Sequence, residues 1–189
     1  MEDINKEVHE AFEVIKNGGI ILYPTDTVWG IGCDATNEEA VKKIYALKKR
    51  AETKSMICLV NGDRLLYQVF RNIPQLAFDI LDCSEKPTTL VLDDPKVVAK
   101  NLISEDNSLG IRIVNTPFCF KLIERMKRPL VSTSANISGE STPTQFSEIS
   151  KEIINGVDYV VKLDLNKISK KSSTVIKLTN DSKVTILRK

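Results

Sequence analysis

A single α/β domain built on a mixed sheet is the fold class that this chain predicts, and three observations carry it. Apolar strand-like runs alternate with segments of helical period along the 189 residues, the pattern of a sheet covered by helices. No linker or internal repeat interrupts the alternation, and the length suits one domain over residues 1–189 with a real core. Near the C-terminus, segments 174–178 and 184–187 flank Thr179-Asn180-Asp181-Ser182-Lys183. That is a hairpin signal, and it makes the sheet mixed rather than purely parallel.

The elements follow in order. Ile4, Val8, Ala11, Phe12 and Ile15 recur at helical spacing, and Gly18 is the stop. Residues 19–23 form a buried strand that Pro24 ends. Thr36 with Glu39 reads as a capping box opening a helix through about residue 49, with Val41, Ile44 and Leu47 inward. Residues 56–60 are an apolar strand. Pro74 suits the first turn of a helix running to about 83. Strands follow at 88–92 and 109–114. Thr116-Pro117 opens a helix to about 127, and 129–132 is a further strand. Residues 140–145 are a polar loop, 146–155 a helix, 158–163 a strand and 166–172 a lysine-rich loop.

Composition excludes several classes. Hydrophobic residues make up 42% and charged residues 28%, which indicates a globular chain rather than a disordered one. No apolar run approaches the roughly 20 residues of a membrane span. The acidic start Met1-Glu2-Asp3 has no signal-peptide pattern. A cytoplasmic location without membrane association is the expectation. The net charge of +2 does not by itself argue for nucleic acid. Cys33, Cys58, Cys83 and Cys119 form no C-x-x-C pair, and three of them lie among apolar neighbours as small core residues. His9, the one histidine, falls on the polar side of the first helix. A histidine-based triad and a multi-histidine metal site are therefore not expected, and no protein-held metal is assigned. Any chemistry must use lysine, arginine, carboxylates, hydroxyls and at most a bound Mg²⁺.

Four constellations stand out. Ser132-Thr133-Ser134-Ala135-Asn136-Ile137-Ser138-Gly139 places four hydroxyls and a carboxamide just after a buried strand, at the rim where open α/β sheets bind ligands. In Thr25-Asp26-Thr27-Val28-Trp29-Gly30-Ile31-Gly32 the threonines offer hydroxyls, and Gly30 and Gly32 permit close backbone approach. Taken alone it reads as a glycine-containing turn between strands, with Trp29 in the core. Lys48-Lys49-Arg50 and Lys54 cluster where a helix ends, and cations belong there. Lys48, however, edges onto the face of Val41 and Ile44, where it either snorkels outward or points into a cleft. Cations converging on a cleft suit a triphosphate. Arg112 alternates with Ile111 and Ile113 inside an apolar strand. Burial obliges it to have an anionic partner, either a structural carboxylate or a ligand's.

Together these segments resemble the YrdC-like family of L-threonylcarbamoyladenylate synthases of the single-domain TsaC type. The resemblance runs from about residue 15 to the C-terminus. Tyr23-Pro24-Thr25-Asp26-Thr27-Val28-Trp29-Gly30-Ile31-Gly32 is similar to the family's P-T-D-T-x-(aromatic)-G-L-G segment. Lys48-Lys49-Arg50 with Lys54 is similar to its K-x-R-x-x-x-K, Ser132-Thr133-Ser134-Ala135-Asn136 to its S-T-S-A-N, and Ser173-Thr174-Val175 to its late S-T-V strand. The order and spacing of the four make the likeness specific.

The resemblance implies a twisted sheet with flanking helices, of the YrdC/RibB-like kind, around a large concave surface. It implies an enzyme, a nucleotidyltransferase condensing L-threonine, bicarbonate or CO₂ and ATP, with Mg²⁺, into threonylcarbamoyl-AMP and pyrophosphate. Other tRNA-modifying proteins would use that product at adenosine 37. It implies that Lys48 and Arg50 are catalytic and, with Lys54, hold the phosphates. Ser108, Ser134, Asn136, Thr142 and Arg188 would contact the nucleotide. Thr27, Arg112, Ser132 and Ser173 would hold threonine, Arg112 taking its carboxylate. Three departures are visible. Ser55 stands where the family often has proline, and the strand 56–60 lacks the histidine many members carry. No glycine precedes Pro87. The chain is also too short for the extra C-terminal domain of longer members. Two alternatives stay open: a non-catalytic module binding double-stranded RNA or tRNA on the same surface, and a carbamoyl-transfer domain acting on another substrate.

Overall fold

The computed structural model describes residues 3–51, 56–169 and 172–189. Its strands are β1 (Ile21–Tyr23), β2 (Gly30–Gly32), β3 (Ile57–Val60), β4 (Thr88–Asp93), β5 (Ser108–Ile113), β6 (Leu130–Ser134), β7 (Tyr159–Val160), β8 (Thr174–Leu178) and β9 (Val184–Arg188). They form one nine-stranded sheet in the order β7-β1-β2-β6-β3-β5-β4-β8-β9. The pairs β1/β7, β3/β5 and β4/β8 are parallel and the others antiparallel, so the sheet is mixed as expected. The helices are α1 (Ile4–Lys16), α2 (Glu38–Leu47), α3 (Asp63–Val69), α4 (Gln75–Asp82), α5 (Pro117–Met126) and α6 (Lys151–Gly156).

Local chemistry sets the helix ends. Asp3 Oδ1 accepts the Asn5 and Lys6 amides at the start of α1. At its end Gly18 takes φ +76°, the Gly18 amide bonds Ile15 O and the Gly19 amide bonds Val14 O. That left-handed cap is the Schellman arrangement, for which glycine is suited. Val8, Ala11 and Ile15 of α1, Val41 and Ile44 of α2, and Phe118, Cys119, Leu122 and Ile123 of α5 supply buried faces to one core. Cys33, Cys58 and Cys119 are buried free thiols within it, while Cys83 is exposed.

The structure departs from the sequence expectation at several places. The α2 cap is Asn37, whose Oδ1 accepts the Ala40 amide. Thr36 is held instead by Asp34, which accepts both its amide and its hydroxyl at 2.8 Å. Residues 146–155 are not one helix: a 3₁₀ turn at Phe146–Glu148 precedes α6. Ser150 breaks the run by capping α6, its Oγ accepting the Ile153 amide. The strand expected over 158–163 shortens to β7. Helix α3, which the sequence reading left unassigned, buries Leu65, Leu66 and Val69. Finally, the strand expected over 129–132 takes in the first three residues of the polar run, because β6 continues through Ser134.

The glycine turn at 30–32 is itself a strand, and sterics explain it. A Cβ at Gly32 would lie 2.3 Å from Val131 O and 2.8 Å from the Tyr23 ring, and one at Gly30 would lie 3.2 Å from Ser132 Oγ. Glycine here permits close approach of β2 to β6 rather than an unusual φ. Gly32→Ala should therefore destabilise the protein by about 2–3 kcal/mol, since neither a backbone carbonyl nor a packed ring can yield cheaply. Thermal melting should fall by roughly 4–12 °C, and a melting point unchanged from wild type would contradict this packing.

Candidate active site

A cavity of about 250 Å³ opens on one face of the sheet. Cross-strand register explains which side chains line it. Ser132 of β6 pairs with Ile57 of β3, and Ile57 with Gly110 of β5. Arg112 lies two residues beyond Gly110, on the same face. Thr89 of β4 pairs with Val175 of β8, which pairs with Arg188 of β9. A Cβ on Gly110 would sit 2.8 Å from Ile57 Cγ2, so that glycine lets the Ile57 side chain lie down as part of the floor. Three arginines, Arg50, Arg112 and Arg188, reach the cavity, and no acidic side chain lines it among the described residues. The remaining lining is dominated by hydroxyls, Thr27, Ser132, Ser134 and Ser173 among them. Such a site suits an anionic, hydrogen-bonding ligand.

Arg112 is 3% exposed. Its Nη1 donates to Thr27 Oγ1 at 3.1 Å and its Nη2 lies 3.0 Å from Asp26 Oδ1. Of the two expectations for its partner, the structural carboxylate is present in Asp26, while the buried Nε has no partner. A buried donor left this way costs free energy until a ligand oxygen satisfies it. Opposite, Ser173 Oγ lies 2.8 Å from Thr89 Oγ1. Arg188 Nε donates to Ser173 O at 2.9 Å and Arg188 Nη2 to Ser173 Oγ at 3.3 Å. Burial and the neighbouring Arg112 charge both shift the Arg188 guanidinium below its usual range. Burial does the same at Arg50.

The end of α2 sorts three consecutive cations into three directions. Lys49 adopts φ +50°, the Lys49 amide bonds Ala46 O and the Arg50 amide bonds Tyr45 O. This is again a Schellman cap, here with a lysine at the left-handed position. The reversal turns Lys48 inward, Lys49 outward to Glu152 at 2.8 Å, and Arg50 to the cavity. Lys48 is 1% exposed. Its ammonium donates to Ser134 O, and to Asn136 O at 2.6 Å, while the Ser138 amide donates back to Lys48 O at 2.8 Å. Side chain and backbone of Lys48 therefore both hold the 134–138 loop. Burial, then Arg50, lowers the Lys48 pKa to about 8.

Of the residues singled out from sequence, Thr27, Arg50, Arg112, Ser132, Ser134, Thr142, Ser173 and Arg188 line this one cavity. Lys48 lies behind it, under the loop. Asn136 donates to Ile137 O and Glu140 O, and its buried Oδ1 has no partner. Ser108 begins β5, four residues from Arg112, and its hydroxyl donates to Asp106 at 2.6 Å. It is not brought to the cavity. Lys54 lies outside the described residues. Sequence reasoning missed Asp26 as the Arg112 partner, and Thr89, Met56, Ile57 and Val175 as lining residues. The alternation of the strands was visible, but a period of two does not say which face is open.

The Sua5/YciO/YrdC family model, described as "Telomere recombination", matches residues 13–189. The chain belongs to the Sua5/YciO/YrdC family. A protein of Methanocaldococcus jannaschii is 37% identical over 192 residues, covering 98% of this chain and 87% of that protein. The threonylcarbamoyl-AMP synthase of Hahella chejuensis is 32% identical over 166 residues, covering 87% of this chain and 90% of its own length. The crystal structure of P. abyssi Sua5 complexed with L-threonine superposes with a TM-score of 0.82 at 28% identity over 93% of this chain. The chain spans about half of that Sua5, 52% of its length. The fold and the twisted mixed sheet expected from the sequence are those of the family.

In this Sua5/YciO/YrdC domain the Lys48 shift makes a signed prediction. The folded pKa of about 8 lies below the ordinary 10.5. Between the two values the unfolded chain binds more protons, so this residue's contribution to stability rises with pH. Denaturant unfolding of wild type and Lys48→Met at several pH values should show wild type gaining on the variant from pH 8 towards about 10.5. A difference independent of pH, or one that narrows, would contradict the buried ammonium.

Proposed function

We propose that this chain is an L-threonylcarbamoyladenylate synthase, joining L-threonine, bicarbonate or CO₂ and ATP into threonylcarbamoyl-AMP with release of pyrophosphate. The observation that carries the reading is Arg112, buried at 3% exposure with its Nε unpartnered, in a cavity holding three arginines. The synthase name of the H. chejuensis relative and the L-threonine bound to P. abyssi Sua5 support it.

The chemistry needs no covalent intermediate on the protein. The threonine amine adds to CO₂ and loses a proton to give a carbamate. A carbamate oxygen then attacks the α-phosphorus in line, and pyrophosphate departs. What this chain supplies is position and positive charge. Arg112 takes the amino-acid carboxylate through its free edge, with Thr27, Ser132 and Ser173 beside it. Arg50 and Arg188 face the phosphates, and bidentate guanidinium contacts suit them. Ser134 and Thr142 lie towards the nucleotide. Lys48 acts from below, holding the carbonyls of Ser134 and Asn136.

Among the described residues no group of three His, Cys, Asp or Glu side chains could hold a metal. The donor set fits a Mg²⁺ that enters on the triphosphate oxygens, hydroxyls and water completing its shell, better than one held by carboxylates. Such an ion would neutralise phosphate charge. No helix among the described residues is long and apolar enough to cross a membrane. The reading adds a cytoplasmic setting and, as consumers of the product, proteins that modify adenosine 37 of tRNA.

Incubation with ATP, bicarbonate, L-threonine and Mg²⁺ should release pyrophosphate only when threonine is present, and excess EDTA should stop it. Arg112→Ala should raise the KM for threonine by about tenfold or more, the size of a lost charge-assisted hydrogen bond, with far less effect on ATP. Arg50→Ala should do the reverse. Equal effects of both variants on both substrates would contradict this division of the cavity.

A further inference from the structure

Thr25 lines the cavity, yet its hydroxyl has no capacity left for a ligand. Its oxygen lies 2.7 Å from the Val28 carbonyl, an acceptor without a proton, so the Thr25 hydrogen points there. The same oxygen accepts the Thr27 amide at 3.0 Å. It also lies 3.0 Å from Thr27 Oγ1. With the Thr25 hydrogen already used, the Thr27 hydroxyl must be the donor in that contact. Arg112 Nη1 in turn donates to Thr27 Oγ1 at 3.1 Å. The bonds therefore run one way, from Arg112 through Thr27 and Thr25 to the Val28 carbonyl. Thr25 and Thr27 are only 5% and 6% exposed, so bulk water competes little for these groups.

This polarity leaves Thr27 with a lone pair and no available hydrogen. It can accept from a ligand but cannot donate to it. Arg112 beside it can only donate. A ligand matching both must bring a carboxylate for the arginine and an N–H for the threonine. A 2-amino acid does so, whereas the same acid without its amine puts a methylene there and leaves the buried Thr27 lone pair with no hydrogen to accept. An acceptor also contacts the amine through its N–H and leaves the nitrogen lone pair available for CO₂.

We propose that Thr25 is a positioning residue that fixes Thr27 as an acceptor, and that this orientation selects 2-amino acids over carboxylic acids lacking the amine. The inference rests on the threonine reading above and names what makes that site selective. Thr25→Val removes the relay, freeing the Thr27 hydrogen to turn towards a carboxylate. Thr25→Ser keeps it.

The test is calorimetric or competitive binding of L-threonine and of 3-hydroxybutyrate, the same skeleton without the amine. Wild type should prefer threonine. In Thr25→Val the preference should fall by about tenfold, the value of one buried hydrogen bond that changes sense, and Thr25→Ser should restore it. If Thr25→Val does not fold, Thr27→Val reads the same point, retaining 3-hydroxybutyrate while losing threonine. A wild type that binds neither ligand overturns the threonine reading. A wild type that binds threonine, with the preference unchanged in the folded valine variants, overturns the Thr25 relay alone.

Discussion

Burying a guanidinium in the middle of a sheet is the constraint on which the rest of this structure depends. Arg112 sits on β5 with 3% exposure, and a charge in that position is tolerated only when its hydrogens are satisfied. Asp26 and Thr27 do part of this. They can do so only because the segment after β1 loops back over the sheet and re-enters it as β2. The sheet order that places β6 and β3 between β2 and β5 therefore sets the width of the cavity as well as the fold. The unsatisfied Nε is the part of the requirement that the protein alone does not meet.

A second theme is the use of small residues and backbone where side chains would be too large. Glycine at 32 and 110 lets Val131 O and Ile57 Cγ2 come within contact of where a Cβ would be. Close packing is thus kept between β2 and β6 and between β3 and β5, where a Cβ would intrude. The loop after β6 is anchored by buried Ala135 and Ile137, and Lys48 adds to this from beneath by donating to the Ser134 and Asn136 carbonyls. That burial comes at the expense of a depressed pKa, an energetic cost carried by the scaffold so that Ser134 can stand at the rim.

Much of the fold was legible because local and global signals agreed. The period and glycine stop of α1, the Thr116-Pro117 opening of α5 and the terminal hairpin all appear where the residues predict them. The failures have separate causes. At residues 30–32 the close backbone approach expected of the glycines holds, but the segment read as a turn is a strand, because its pairing partner β6 lies about a hundred residues away in sequence. At 146–155 a local cap by Ser150 outweighed helical period. For the site, chemistry chose residue types well: Thr27, Arg112, Ser132 and Ser173 are far apart in sequence yet line one cavity. Direction was not legible. Period alone left Lys48 facing either out or into a cleft, and only the left-handed cap at Lys49 decides that it faces the 134–138 backbone.

The account turns on Arg112 having a free edge for a carboxylate. The most direct measurement follows its side-chain Nε–H signal by ¹⁵N NMR, assigned by its loss in Arg112→Lys. L-threonine alone should shift that signal downfield as the unpartnered hydrogen finds an oxygen, and ATP alone should leave it in place. A signal that responds to ATP but not to threonine would contradict the account.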